Sequence, residues 1–68
     1  MPSTAIERFS YDGHRRRLIV TFRDGPHGPR SYAYLNVPRR EYEALRAAPS
    51  KGVYVNTVIK PRYDYEPL

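Results

Sequence analysis

The chain has 68 residues, enough for one small domain whose core is modest, because short chains bury a smaller share of their surface than long ones. It contains no cysteine, which excludes disulfides and thiolate zinc sites, and no apolar run long enough to cross a membrane. Nine aromatic residues, seven of them tyrosine, are too many for a disordered chain. The N-terminus lacks the apolar core of a signal peptide, so a cytoplasmic location is expected.

The charge balance is basic, with a net charge of +5 and a pI near 9.9. Ten of the twelve cations are arginine, the side chain best suited to bidentate phosphate contacts and to stacking on rings. A pI above about 9 is typical of nucleic-acid-binding domains. A small domain also needs some net charge for solubility, so charge alone leaves both interpretations open.

The first half of the chain predicts three strands joined by two turns. Residues 5–11 and 17–23 read as strands, and the Asp-Gly pair in 12–15 predicts the turn of a hairpin between them. Two glycines and two prolines make 24–29 a loop, and a third strand is expected over 30–36.

Two of these strands carry informative side-chain patterns. Leu18, Val20 and Phe22 alternate onto one face of the second strand. In the first strand, Ile6 and Phe9 can both face the core only if a β-bulge lies between them.

The second half predicts helices. Pro38 suits the first position of a helix, and Tyr42, Leu45 and Ala48 form an apolar stripe at helical spacing. Ser50 can cap a second helix.

The segment that follows Ser50 has two readings. Residues 53–59 fit a helical face as well as a strand face, and their β-branched content favours strand while the cap favours helix. We expect the tail, residues 60–68, to be extended because of Pro61 and Pro67. The predicted fold class is therefore α+β: a three-stranded antiparallel meander followed by two short helices packed on one face, in a single domain of residues 1–68.

Basic residues cluster around the first hairpin, in the sequence HRRR of residues 14–17. On a strand, Arg15 and Arg17 would share a face while Arg16 points away, so two or three cations could reach one ligand. A charged edge that discourages aggregation of sheets is the competing interpretation.

A second basic cluster lies at the start of the predicted helix. Arg39 and Arg40 occupy the first turn, where the helix dipole makes cations unfavourable by about 0.3–1 kcal/mol each. Glu41 and Glu43 offset part of that cost, but two arginines at a helix N-terminus form a candidate phosphate-binding site. Ser50, Lys51 and Gly52 open the second helix in a similar way, although simple capping by Ser50 explains that residue equally well. Lys60 and Arg62 complete the candidate phosphate ligands.

Tyr32 and Tyr34 flank Ala33 in the third strand, so their rings point to the same face. On the open face of the sheet they would form a stacking platform for unpaired bases. Beneath the helices they would be large core residues with hydroxyls at the rim. A domain this small needs bulky apolar groups, which favours the core interpretation.

Catalytic patterns are absent from the sequence. His14 and His27 lie in different predicted turns without acidic partners at a useful spacing, and no serine or threonine has an adjacent base. We expect no enzyme activity, no cofactor and no metal site.

Four segments in order, MPSTAI, YAYLNVP, EYEALRAAPSKG and YVNTVI, resemble the KTSC domain, a family named for its occurrence at the C-terminus of some lysyl-tRNA synthetases. The family's central Y-x-Y motif corresponds to Tyr32-Ala33-Tyr34. The resemblance implies a helix over residues 50–59 and a small stand-alone bacterial or phage protein. RNA binding has been suggested for the family from its synthetase context, although no function is established.

Two functions therefore compete. The first is a nucleic-acid-binding accessory module, most plausibly for RNA, with the cations contacting phosphates and the two tyrosines contacting bases. Its candidate residues are Arg15, Arg17, Tyr32, Tyr34, Arg39, Arg40, Lys51, Lys60 and Arg62. The second is a protein-interaction module, because a surface rich in tyrosine and arginine suits an interface hot spot. A contiguous basic face would favour nucleic acid, and an exposed tyrosine-rich apolar patch would favour a protein.

Overall fold

A computed structural model of the chain describes residues 5–23 and 28–68. Within them, four antiparallel strands form one sheet in the order β1-β2-β3-β4. The strands are β1 (Ile6–Asp12), β2 (Arg17–Phe22), β3 (Arg30–Tyr34) and β4 (Tyr65–Pro67). The α+β class is confirmed, but the sheet has four strands where three were expected, because the C-terminal tail adds β4 to the edge of β3.

The helices lie between β3 and β4 in the chain. Helix α1 (Arg39–Ala47) is followed by α2 (Lys51–Tyr54), a π-helical turn (Val55–Ile59) and α3 (Lys60–Arg62). The last three run on continuously, and we call them together the second helix. Residues 53–59 are therefore helical, as the family resemblance implied.

Local signals account for where both helices begin. Pro38, which was expected at the first helical position, is the N-cap residue of α1 and has an extended backbone. The helix therefore begins one residue later, at Arg39. Ser50 caps α2, and its hydroxyl accepts a hydrogen bond from the backbone N–H of Val53 at 3.3 Å. That bond satisfies one of the amides that a helix leaves unpaired at its start.

The second helix continues through Pro61, so the expectation that the tail is extended from residue 60 is wrong for 60–62. Proline in a helix removes one N–H and its ring clashes with a carbonyl of the preceding turn. Here that preceding turn is π-helical, with the N–H of Lys60 bonded to the carbonyl of Val55, and Pro61 lies in the first turn of α3, where it is tolerated. The extended conformation begins at Tyr63.

The expected β-bulge in β1 is present. Ile6 lies opposite Phe22 and Phe9 lies opposite Val20, with a shift of register between Ile6 and Arg8. Since directly opposed residues share a face, the shift allows Ile6 and Phe9 both to face the core.

The core lies between one face of the sheet and the two helices. Its buried side chains come from β2 and β3, from the connection before α1, and from both helices: Leu18, Val20, Phe22, Tyr34, Val37, Leu45, Val55 and Ile59. The predicted alternation of β2 and the apolar stripe of α1 are therefore confirmed at the positions that face each other.

Tyr32 and Tyr34 lie on this core face, because they pair with Val20 and Leu18. Tyr34 is only 3% exposed, and its burial, with the neighbouring Tyr32 and Tyr65, raises its pKa to about 12. Tyr32 is half-buried and meets the rings of Phe22 and Tyr65 edge-on, at 5.9 and 5.5 Å between centroids. The core interpretation is thus correct, and the two tyrosines form no stacking platform on the open face of the sheet.

Four residues of the predicted loop at 24–29, among them His27, lie outside the described residues. None of the helices within 5–23 and 28–68 is long and apolar enough to cross a bilayer.

Candidate nucleic-acid interface

The hairpin turn between β1 and β2 covers residues 13–16. Asp12 stabilises it, because its Oδ1 accepts hydrogen bonds from the backbone N–H groups of His14 at 3.0 Å and Arg15 at 3.3 Å. Arg16 closes the turn in the left-handed region, with a φ of 55°. A residue other than glycine or asparagine is uncommon there, so the turn holds an arginine at an energetic cost.

This turn packs against the segment that leads into α1. The Tyr11 hydroxyl donates to the carbonyl of Val37 at 2.6 Å, and the N–H of Val37 donates to the carbonyl of Arg16 at 2.8 Å. A Cβ atom on Gly13 would lie 2.7 Å from Nη2 of Arg39. Glycine at position 13 therefore leaves room for the end of the Arg39 side chain, which a Cβ atom would displace.

The two basic clusters of the sequence are thereby brought together at one end of the molecule, which we call the arginine end (residues 13–17 and 36–40). These segments hold five arginines and no acidic residue. Arg17 forms an ion pair with Glu66, with 3.7 Å between Nη1 and Oε1. The other four, Arg15, Arg16, Arg39 and Arg40, are exposed and form no ion pair with any described residue.

Arg39 has a well-defined position within this end. Its guanidinium carbon lies 5.3 Å from the centre of the Tyr11 ring, and the Tyr11 ring stacks on Tyr42 at 4.9 Å with an interplanar angle of 11°. The guanidinium of Arg46 lies in turn 5.8 Å from the centre of the Tyr42 ring. Arg39 also lines an open depression together with Tyr11, Asp12, Gly13 and His14. The side chain is thus held in place by aromatic contacts while it faces solvent.

A buried carboxylate lies on the inner side of the same helix. Glu41 is 8% exposed and accepts hydrogen bonds from the hydroxyls of Tyr54 and of Tyr63 (2.7 Å) and from the guanidinium of Arg62 (3.1 Å). The three donors come from the second helix and the residue that follows it. This Glu41 cluster (Glu41, Tyr54, Arg62 and Tyr63) therefore ties α1 to the second helix.

The Glu41 cluster keeps its carboxylate ionised. Burial alone would raise the pKa of Glu41, but the hydrogen bonds from Tyr54 and Tyr63 and the charge of Arg62 outweigh it, so the pKa is lowered. The hydrogen bond to Glu41 raises the pKa of Tyr54, and burial followed by the same kind of hydrogen bond raises the pKa of Tyr63. Both hydroxyls consequently remain donors.

The predicted site residues thus separate into distinct groups. Arg15, Arg39 and Arg40 come together at the arginine end. Arg17 lies beside them but is paired with Glu66, and Arg62 belongs to the Glu41 cluster.

The two predicted lysines lie elsewhere. Lys51 donates to the carbonyl of Ala48 at 2.8 Å, at the far end of α1, which is about 14 Å from Arg39 at 1.5 Å per residue. Lys60 lies 4.8 Å from the centre of the Phe22 ring, at the end of β2 opposite Arg17. Both lysines therefore lie apart from the arginine end, and Tyr34 is buried in the core, while nucleic-acid contact by the nine candidate residues stays a prediction.

Sequence reasoning missed two features of the site. It assigned Arg16 to the opposite face because it treated 15–17 as strand, whereas Arg16 belongs to the turn. It also gave Glu41 no role beyond offsetting the charge of the helix start, since the donors of its hydrogen bonds lie 13, 21 and 22 positions away in the chain. Across the described ranges, no group of three or more His, Cys, Asp or Glu side chains is placed to hold a metal ion.

Comparison with known proteins identifies the family. The family model of the KTSC domain matches residues 2–63 of this chain. The chain belongs to the KTSC domain family. A KTSC domain protein from Yersinia pestis has the same fold in its crystal structure, with a TM-score of 0.82 and 32% identity over the whole of this chain and 90% of that one.

Relatives of this KTSC chain occur in two settings. A protein from Tsukamurella paurometabola is 38% identical over 61 residues, which are 90% of this chain and 85% of that protein. Lysine–tRNA ligases of Nostoc punctiforme and Trichormus variabilis are each 35% identical over 96% and 93% of this chain. The chain matches only 11% and 10% of those ligases.

Proposed function

We propose that this KTSC domain is a non-catalytic module that binds nucleic acid, and RNA in particular, through its arginine end. The observation that carries the proposal is the meeting of Arg15, Arg16, Arg39 and Arg40 with no acidic side chain of the described residues paired to them. Four exposed cations in two adjoining segments give this end a local positive charge, which attracts a polyanion. Guanidinium groups also match the geometry of phosphate oxygens.

Two costs in the fold support a ligand at this end. Cations in the first turn of α1 oppose the helix dipole, by about 0.3–1 kcal/mol each. Arg16 in the left-handed region costs a further amount, on the order of 1 kcal/mol. The Arg40 side chain makes no ion pair or ring contact with a described residue that would offset its cost, so binding explains this arginine better than stability does.

The relatives add independent support. Two of them are lysine–tRNA ligases, enzymes that by their name act on tRNA, and the match to this chain covers about a tenth of each. A module of this size is suited to add affinity for RNA to a larger enzyme or to act on its own.

A salt titration tests the proposal. Binding of a fluorescein-labelled single-stranded RNA is measured by anisotropy between about 50 and 200 mM salt, because each neutralised phosphate releases counterions. Contacts from three to four arginines predict a slope of log K against log salt of about −2 to −3.

A charge-matched control shows where the RNA binds. The double variant Arg15→Ala/Arg40→Ala should reduce the slope by about 1.4, since it removes two phosphate contacts. Arg8→Ala/Arg30→Ala changes the net charge equally, but these exposed residues lie opposite Thr21 and Phe22, at the other end of β2. Equal losses in both double variants would contradict binding at the arginine end.

A protein-interaction module is the second candidate, and one observation favours it. A groove crosses the four strands of the sheet, and besides Ile19, Thr21, Ser31, Pro67 and Leu68 its lining includes Arg8, Arg30 and the half-buried Tyr32. Leu68 is 70% exposed although its N–H is bonded to the carbonyl of Ser31. An absence of RNA binding at low salt would shift the assignment to this groove.

A further inference from the structure

We propose that Arg39 is a stacking surface for an unpaired base. The arginine end should therefore bind a single strand that has bases more tightly than a sugar-phosphate backbone without them. This inference rests on the proposed function and specifies which part of the nucleic acid the site recognises. It gives to Arg39 the role that the sequence suggested for Tyr32 and Tyr34, whose rings belong to the core.

The position of Arg39 is fixed by its neighbours. Its guanidinium lies over the Tyr11 ring, and this ring stacks on the half-buried Tyr42, which in turn has the guanidinium of Arg46 over it. Gly13 leaves room for Nη2 where any side chain would intrude. The contact with Tyr11 restricts the side chain before a ligand arrives, which reduces the conformational entropy left to lose on binding.

The outer side of this group of planar side chains is open. Arg39 is an exposed residue and lines the depression next to His14. Bases of single-stranded RNA stack on guanidinium planes as they do on aromatic rings. A base placed on Arg39 would extend the series Tyr42, Tyr11 and Arg39, while Arg15, Arg16 and Arg40 remain available for the flanking phosphates.

Arg40 provides the matched comparison for Arg39. It is the next residue of the helix, carries the same charge and is exposed, but makes no ring contact within the described structure. Lysine retains the positive charge and lacks the plane, so Arg39→Lys should remove stacking but retain phosphate attraction. Arg40→Lys removes a bidentate phosphate contact and no stacking, so it should weaken binding of both oligomers alike.

The experiment compares an oligo-adenosine RNA of roughly eight nucleotides with an oligomer of the same length made of abasic ribose-phosphate units. We expect the wild type to bind the oligo-adenosine at least about fivefold more tightly, which is the smaller end of the range for one stacked base. Arg39→Lys should bring that ratio close to one, with binding of the abasic oligomer nearly unchanged, and Arg40→Lys should keep the ratio.

Gly13→Ala supplies a second variant with an unchanged charge. The added methyl would lie 2.7 Å from Nη2, the far end of a flexible side chain, so Arg39 is displaced while the fold survives. We expect it to lower the ratio as Arg39→Lys does.

The outcomes separate the inference from the proposed function. If the wild type binds both oligomers and Arg39→Lys or Gly13→Ala leaves the ratio unchanged, the stacking role is overturned and phosphate binding stands. If the wild type binds both equally, the stacking role is likewise overturned. If neither oligomer binds at low salt, the proposed function and the stacking role both fail.

Discussion

Replacing Glu41 by glutamine should strongly destabilise the domain, because this one carboxylate accepts hydrogen bonds from Tyr54, Tyr63 and Arg62. A hydrogen bond to a charged group contributes about 1.5–3 kcal/mol to stability. Glutamine keeps one acceptor oxygen but presents an NH₂ group at the other position, so one tyrosine hydroxyl loses its acceptor. The Arg62 side chain is 62% exposed, and its ion pair adds only about 0.2–1 kcal/mol.

Together these terms predict a loss of about 2–4 kcal/mol in the free energy of unfolding for Glu41→Gln. A chain of this length has a total stability of about 3–10 kcal/mol, so the change should be visible as a large shift of the midpoint. Urea unfolding followed by circular dichroism measures it. The loss should also depend on pH.

The pKa of Glu41 is lowered in the fold, so its contribution is present above the ordinary value of 4.5 and is lost as the pH falls through the lowered value. The difference between wild type and Glu41→Gln should therefore be largest near about pH 7 and shrink towards about pH 2.

Glu43→Gln is the matched control for this prediction. Glu43 lies on the same helix, and its replacement by glutamine changes the net charge by the same amount. It is exposed, however, and pairs with Arg46 at 3.1 Å on the surface. Its loss should be below about 0.5 kcal/mol. Equal losses for the two variants, or a Glu41→Gln difference that does not change with pH, would refute the assignment of Glu41 as the link between the helices.

Further variants test other parts of the fold by the same unfolding assay. Arg16→Gly should stabilise the domain by up to about 1 kcal/mol, because glycine adopts a φ of 55° without strain, and a loss of stability would contradict the strain argument. Ser50→Ala should cost about 1 kcal/mol, since the N–H of Val53 loses its cap, whereas an unchanged midpoint would show that the cap is not needed. Leu45→Ala should cost about 2–5 kcal/mol, because Leu45 is fully buried against the sheet, and a cost below about 1 kcal/mol would place it outside the core.

The parts of the fold that sequence predicts correctly are those with local causes. The alternation of β2, the Asp-Gly turn and the apolar stripe of α1 each follow from residues within a few positions of one another. The bulge in β1 follows almost as directly, because Ile6 and Phe9 are both apolar and their spacing puts them on opposite faces of a regular strand.

The features that sequence does not predict depend on residues far apart in the chain. The strand β4 has three residues, one of them proline, and exists because β3 offers an edge on which Tyr65 can pair with Tyr34. Five of the seven residues in 53–59 are β-branched, yet the segment is helical because Val55 and Ile59 fill the core from the helical side. Tertiary packing overrides local propensity at these positions.

The candidate site shows the same division. Arg39 and Arg40 are recognisable from sequence as cations at a helix start, and the basic turn is recognisable as a cluster. Their meeting requires that the end of β1, the beginning of β2 and the beginning of α1 lie at the same side of the molecule. The hydrogen bonds between Tyr11, Arg16 and Val37 hold them there, and these bonds join residues far apart in the chain.

The most direct test of the proposed function is a backbone-amide NMR titration of the domain with a short single-stranded RNA at low and physiological salt. Binding at the arginine end predicts shifts at residues 13–17 and 36–40 that weaken as salt rises, with residues 8 and 30 unaffected. An absence of shifts at low salt would contradict RNA binding. Shifts confined to the open face of the sheet, at Ile19, Thr21 and Ser31, would contradict the assigned site.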